Sequence, residues 1–191
     1  ATTAHAAFKA LAQAAALCND AHLAHTQERG KSDWVLAGDP TEGALLTLAM
    51  KAGLNPDQCH QARPRLDVVP FESDHRYMAT LHPASEVATA QPGPAALEVF
   101  VKGAPECVLD MCHAQHDRHH PAAPLDTDYW RRAANDCAAR ALRVLAIAVK
   151  TVPAQQQTLD FSDMQSGFTL LGLLGSMDPP RRRCRRSRGS G

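Results

Sequence analysis

The sequence predicts an α+β domain in which an antiparallel β-sheet is flanked by helices. Three observations carry that expectation. Helix start signals and strand-like apolar runs are both present; they do not alternate strand by helix as a doubly wound parallel sheet requires; and three extended runs follow one another between residues 65 and 102. A chain of 191 residues with 45% apolar content has the length and core material for one domain of ordinary size.

The elements follow in order. Phe8 to Leu17 is Ala-rich and apolar on every side, which predicts a largely buried helix ended by Asn19 and Asp20. Residues 21 to 33 are polar and predict a loop, followed by a short apolar run, Trp34 to Leu36, and a turn at Gly38. Asp39, Pro40 and Glu42 combine a cap, a first-position proline and an acid at the positive dipole end, so a helix is expected from Pro40 to about Ala52. Leu45, Leu48, Ala49 and Ala52 share its inner face, and Gly53 stands where a left-handed cap is wanted.

Arg65 to Phe71, Tyr77 to Leu81 and Leu97 to Lys102 read as neighbouring antiparallel strands, the last two joined by the Pro- and Gly-rich segment 83 to 94. Ala104 to Cys112 predicts a short helix opened by Pro105, and Asp126 to Ala139 a longer one beyond a His- and Pro-rich loop. Two further strands are expected at Leu142 to Val149 and Phe168 to Ser176.

Charge excludes some function classes. Lys plus Arg equal Asp plus Glu at 20 each, so no overall field points to nucleic acid or to direct contact with an anionic membrane. Six arginines between positions 181 and 188 distort that balance. The body is mildly acidic, and residues 181 to 191 read as a disordered or non-native tail behind a domain spanning 1 to 180. The six cysteines contain no C-x-x-C pair and read as reduced thiols. The longest apolar stretches fall far short of the ~20 residues that span a bilayer, so a soluble chain is expected.

Five separated motifs, in order, resemble the nucleotide-binding domain of P-type cation-transporting ATPases: Ala16-Leu17-Cys18-Asn19-Asp20, Gly38 through Leu45, Pro70-Phe71-Glu72-Ser73, Val101-Lys102-Gly103-Ala104-Pro105-Glu106, and Ala141 through Ala146. A sixth, Leu171 to Arg181, resembles the strand and hinge that return the chain to the family's phosphorylation domain. The form Gly-Asp-Pro-Thr-Glu-Gly is similar to that of bacterial calcium-, magnesium- and other cation-type pumps. The resemblance implies a cytoplasmic domain of an integral membrane protein that holds ATP, with Mg2+ in the intact pump, and works with that pump's phosphorylation and actuator domains. The family's Asp-Lys-Thr-Gly-Thr, Thr-Gly-Asp and Gly-Asp-Gly-x-Asn-Asp segments do not occur in this sequence. Hydrolysis and transport are therefore expected of other parts of a pump, with this chain inactive alone.

Residue by residue, the resemblance places Phe71 at the family's adenine-stacking position, with Met78 beside it. By itself a lone Phe is more often a core residue at a strand end. Lys102 sets a cation against the nucleotide, where an isolated Lys is usually a solvated surface charge. Gly103, lacking a Cβ, admits the ligand close to the backbone. Glu42 can compensate its helix dipole or accept from the adenine amino group; the resemblance favours the adenine contact. Arg143 offers the phosphates a planar fork of donors, its alternative being a strand-edge salt bridge. Arg76 falls where many relatives place a Lys, and Ser73 replaces the Arg of animal calcium pumps.

Two rival functions compete with this one. A self-sufficient hydrolase of the haloacid-dehalogenase type needs an Asp-x-Asp-like nucleophile at a strand end, and no such site is visible. A metal-binding interaction module could use Cys107, Cys112, His113, His116, His119 and His120, but their spacing matches no common zinc module. His22 and His25 lack a third ligand, and Gly30-Lys31-Ser32 lacks the earlier glycine of a P-loop.

Overall fold

The computed structural model of the chain describes residues 3–28, 31–84, 96–117 and 122–177. The elements run α1 (Thr3–Leu17), β1 (His22–Glu28), β2 (Lys31–Ala37), α2 (Pro40–Lys51), α3 (Pro56–Ala62), β3 (Asp67–Val69), β4 (Tyr77–Pro83), β5 (Ala96–Gly103), α4 (Pro105–Met111), β6 (Cys112–Gln115), β7 (Ala123–Pro124), α5 (Thr127–Ala139), β8 (Arg143–Pro153) and β9 (Phe168–Ser176), with a 3-10 turn at Phe161–Met164. Seven strands form one sheet in the order β3-β4-β5-β8-β9-β6-β7, and β1 pairs with β2 in a separate hairpin. Every pairing is antiparallel except β6 with β9. The α+β expectation therefore holds, with one parallel pair added where α5 and β8 intervene between the partners.

Strand alternation divides the core. Met78 on β4, Phe100 on β5 and Ile147 on β8 share a cluster with Leu11, Ala14 and Leu17 of α1, Leu45 of α2 and Cys59 of α3. Their neighbours Ala79, Leu81, Val99, Val101, Ala146 and Ala148 pack on the opposite face with Val108 and Leu109 of α4, Leu159 and Met164. Helices thus cover both faces of the central strands, which explains why those strands read as continuous apolar runs.

The helix ends follow the expected chemistry. Asp39 caps α2 by accepting from Thr41 N–H at 2.7 Å. At its other end Gly53, with φ of 79°, donates to Met50 O while Leu54 N–H donates to Ala49 O, each at 3.0 Å, which is the Schellman pattern.

Several expectations need correction, and the His- and Pro-rich loop expected before α5 carries the short strands β6 and β7 at its two ends. Residues 21 to 33 are not a loop: their described part enters the β1–β2 hairpin, which stands apart from the main sheet and packs Leu23 and Leu36, both half-buried, against the helices. Helix α3 was not anticipated, although Asn55-Pro56-Asp57 repeats the start signal of α2 and Asn55 accepts from Gln58 N–H at 3.1 Å. The extended stretch at 65 to 71 reduces to β3 alone, because Pro64 and Pro70 bracket it without main-chain donors. The segment 85–95, the hinge from Asp178 onward and the arginine tail lie outside the described residues.

Candidate functional site

The start of β4, the end of β5 and the start of β8 meet at one end of the sheet, where Tyr77 pairs with Gly103 and Gly103 with Ala146. Lys102 falls on the same face of β5 as Phe100, toward α1 and α2. There its Nζ donates to Glu42 Oε1, in the first turn of α2. Lys102 is only 7% exposed and is no solvated surface charge. The pair is nearly dehydrated, so removing either partner would strand a charge.

Above this pair opens a cavity of about 570 Å³, to which Phe71, Glu42, Lys102, Gly103, Arg76 and Arg143 all contribute. Phe71 lies in the turn between β3 and β4 and is 61% exposed. A large aromatic left in solvent at the mouth of a cavity loses the burial that usually accounts for a core Phe. The hydrophobic floor continues through Ala104, Val144 and Leu145.

The polar rim is already partnered. Arg143 Nη1 donates to Thr41 Oγ1 at 2.7 Å, joining β8 to the start of α2. Thr41 in turn donates to Asp39 from its hydroxyl and main chain, which holds the Asp39 carboxyl below its ordinary range. Arg76 Nη1 donates to Glu106 Oε1 at 2.6 Å. Asp20, also on the rim, accepts from Arg65 Nη1 at 2.7 Å. Asp20, Asp39 and Thr41 lie within motifs that marked the region, but the sequence shows Asp20 and Asp39 only as helix-end residues and gives no site signal for any of the three.

Gly103 has a structural reason that the sequence did not disclose. A Cβ there would stand 2.5 Å from the Arg76 carbonyl oxygen and 2.6 Å from Tyr77 Cβ. The glycine thus admits the neighbouring strand, whatever else it admits. Arg76 holds a left-handed φ of 57°, and its carbonyl accepts from Ala104 N–H at 2.9 Å.

Met78 is the exception among the expected site residues. It is 1% exposed, packed in the cluster beneath α1, and does not line the cavity. Strand alternation turns it toward the sheet's helical cover.

The cysteine- and histidine-rich segment looks different in space. Cys112 Sγ donates to Val108 O at 3.1 Å, and burial pushes its thiol up to about 12, away from the thiolate a metal takes. His119 and His120 lie outside the described residues; among the described residues no group of three or more His, Cys, Asp or Glu side chains is arranged to hold a metal ion. Among the described residues no helix is long and apolar enough to cross a membrane. A second cavity, of about 400 Å³, opens between the hairpin, α2 and α3, lined in part by Trp34, Met50 and His60.

These motifs meet in a cavity at one end of a mainly antiparallel sheet flanked by helices, and comparison with known proteins shows the family. The family described as "P-type ATPase, cytoplasmic domain N" matches residues 7–183. The chain belongs to that family. It is 41% identical over 165 residues to the cation-transporting ATPase pma1 of Synechocystis, covering 86% of this chain and 17% of that protein. It is 35% identical over 178 residues to the probable cation-transporting ATPase F of Mycobacterium tuberculosis, covering 93% and 18%. Calcium-transporting ATPase 1 of Lactococcus lactis is 29% identical over 175 residues, covering 91% and 18%. The chain therefore spans less than a fifth of the length of these relatives.

Proposed function

We propose that this chain is the ATP-holding domain of a cation-transporting pump and presents the γ-phosphate to a phosphorylation domain elsewhere in that pump. One observation carries the reading: the exposed Phe71 ring borders the same cavity as the Glu42–Lys102 pair.

The residues fit an adenine nucleotide in distinct ways. The Phe71 face can stack on the purine, a contact worth about 1–3 kcal/mol per base. Glu42, as a carboxylate, can accept from the exocyclic amino group, and Lys102, donating to its Oε1, holds that carboxylate in place. Ala104, Val144 and Leu145 exclude water from the base. Arg76 and Arg143 face the same cavity and can turn their guanidinium donors toward phosphate oxygens by exchanging Glu106 and Thr41 as partners. Mg2+ would accompany the phosphates in the intact pump and would supply charge neutralisation there.

Because the phosphates leave the cavity, affinity in the isolated chain is expected at about 0.1–10 mM, or roughly −3 to −5 kcal/mol. Calorimetric titration of ATP into wild type and Phe71→Ala tests the reading. Stacking predicts about 10–100-fold weaker binding by the variant. Equal binding by both proteins would refute it.

A further inference from the structure

The turn that carries Phe71 has little of its own to hold it. From Pro70 to Arg76 every residue is exposed, and one main-chain bond, Arg76 N–H to Glu72 O at 2.7 Å, closes the turn. Arg76 ends it in a left-handed conformation that non-glycine residues resist. A ring this exposed presents a fixed face to a planar ligand only when its turn is braced from outside.

Besides the 2.9 Å main-chain bond from Ala104 N–H to Arg76 O at its end, two side-chain contacts reach the turn. The Arg76–Glu106 ion pair joins two half-exposed side chains and contributes little by itself. The other contact is aromatic. The His75 ring lies 4.3 Å from the Phe161 ring, centroid to centroid, with 32° between their planes, and 5.8 Å from Tyr77. Phe161 also meets Tyr77 edge-on at 6.3 Å. The two longer separations lie in the range of about 4.5–7 Å where aromatic pairs attract beyond their buried area, and the His75–Phe161 contact is slightly closer.

Phe161 stands on a clamped segment. Asp160 N–H donates to Asp163 Oδ2 at 2.8 Å, closing the 3-10 turn. Lys150 Nζ on β8 donates to Asp163 O and Ser166 O, each at 3.0 Å, and Leu159 N–H donates to Asp67 Oδ2 on β3 at 2.7 Å. Leu159 and Met164 anchor the same segment in the core. Phe161, at 38% exposed, is the large apolar side chain that this segment directs at the turn instead of the interior.

We infer that Phe161 is a positioning residue for nucleotide binding: packed against His75, it holds the Phe71–Arg76 turn so that the Phe71 ring stays over the cavity. Neither His75 nor Phe161 lines that cavity, so both act through the turn and not on the ligand. The inference rests on the adenine-stacking reading of Phe71 and adds the device that keeps the ring in place.

The test is a double-mutant cycle. ATP is titrated calorimetrically into wild type, Phe161→Ala, Phe161→Tyr, His75→Ala, Phe71→Ala and the Phe71→Ala/Phe161→Ala double variant, with far-UV circular dichroism to verify folding. Phe161→Ala and His75→Ala should each weaken ATP about 2–10-fold, the size of a lost aromatic pair, while Phe161→Tyr binds as wild type. In the Phe71→Ala background, removing Phe161 should change nothing further, because the ring it positions is gone. Wild-type affinity in Phe161→Ala and His75→Ala, alongside weak binding by Phe71→Ala, would overturn the positioning role and leave the stacking reading standing. An additional loss in the double variant equal to that of Phe161→Ala alone would also overturn it. Wild-type affinity in Phe71→Ala would instead refute the stacking reading and the inference with it. Should Phe161→Ala fail to fold, His75→Ala removes the other ring of the pair from an exposed position and decides the matter.

Discussion

Replacing Gly103 by alanine adds one methyl group at the end of β5, where the space is already filled. The new Cβ would lie 2.5 Å from the Arg76 carbonyl oxygen, 2.6 Å from Tyr77 Cβ and 2.8 Å from Tyr77 Cα. None of these atoms is the free end of a flexible side chain. Ordinary carbon contacts sit at about 3.5–4.0 Å, so β4 must retreat by roughly an ångström. Overpacking of this kind costs about 1–3 kcal/mol. The retreat also stretches the 2.9 Å bond from Ala104 N–H to Arg76 O and displaces the turn that carries Phe71. Urea unfolding and ATP calorimetry read the two consequences separately. Gly103→Ala should lose about 1–3 kcal/mol of stability and bind ATP about tenfold more weakly. Wild-type stability combined with lost ATP binding would refute the steric argument, because the glycine would then serve the ligand's approach alone.

Other consequences follow from groups away from the cavity. His82 is fully buried, its Nδ1 donates to Arg63 O at 2.9 Å, and burial lowers its pKa from 6.5 to about 4. The unfolded chain therefore takes up a proton below its ordinary pKa while the folded chain does not, so stability falls as pH drops from about 6.5 to about 4 and this contribution then levels off. The gap corresponds to ~3 kcal/mol, and His82→Asn, which can keep the bond to Arg63, should flatten that stretch of the pH–stability curve measured by urea unfolding. Ala141, the residue after the Arg140 cap of α5, holds a φ of 57°, a conformation glycine adopts freely. Ala141→Gly should raise stability by about 0.5–1 kcal/mol, seen as a higher Tm without loss of ATP binding.

The parts of the fold legible in the sequence are those where one physical demand dominates. β4, β5, β8 and β9 are covered on one or both faces and read as apolar runs; α2 carries its cap, proline, acid and terminal glycine in line. The β1–β2 hairpin was obscured because a ribbon outside the sheet needs few apolar residues. β6 and β7 were obscured for a different reason, since a strand of four residues and one of two leave no pattern to count. At the site, the motifs brought Glu42, Phe71, Arg76, Lys102, Gly103 and Arg143 to one cavity without any help from spacing, because their order along the chain says nothing of which strand ends meet. Met78 escaped the motif logic: strand alternation buries it beneath α1. The brace from Phe161 to His75 was invisible, because the two rings belong to separate connections whose meeting depends on how the β8–β9 link folds back over β3.

The most direct measurement of the central claim is where ATP binds. Titrating ATP into the labelled chain and following amide chemical shifts should perturb residues around Glu42, Phe71, Lys102 and Arg143, with the largest changes on the turn bearing Phe71. Shifts confined to the second cavity, around Trp34, Met50 and His60, would contradict the account.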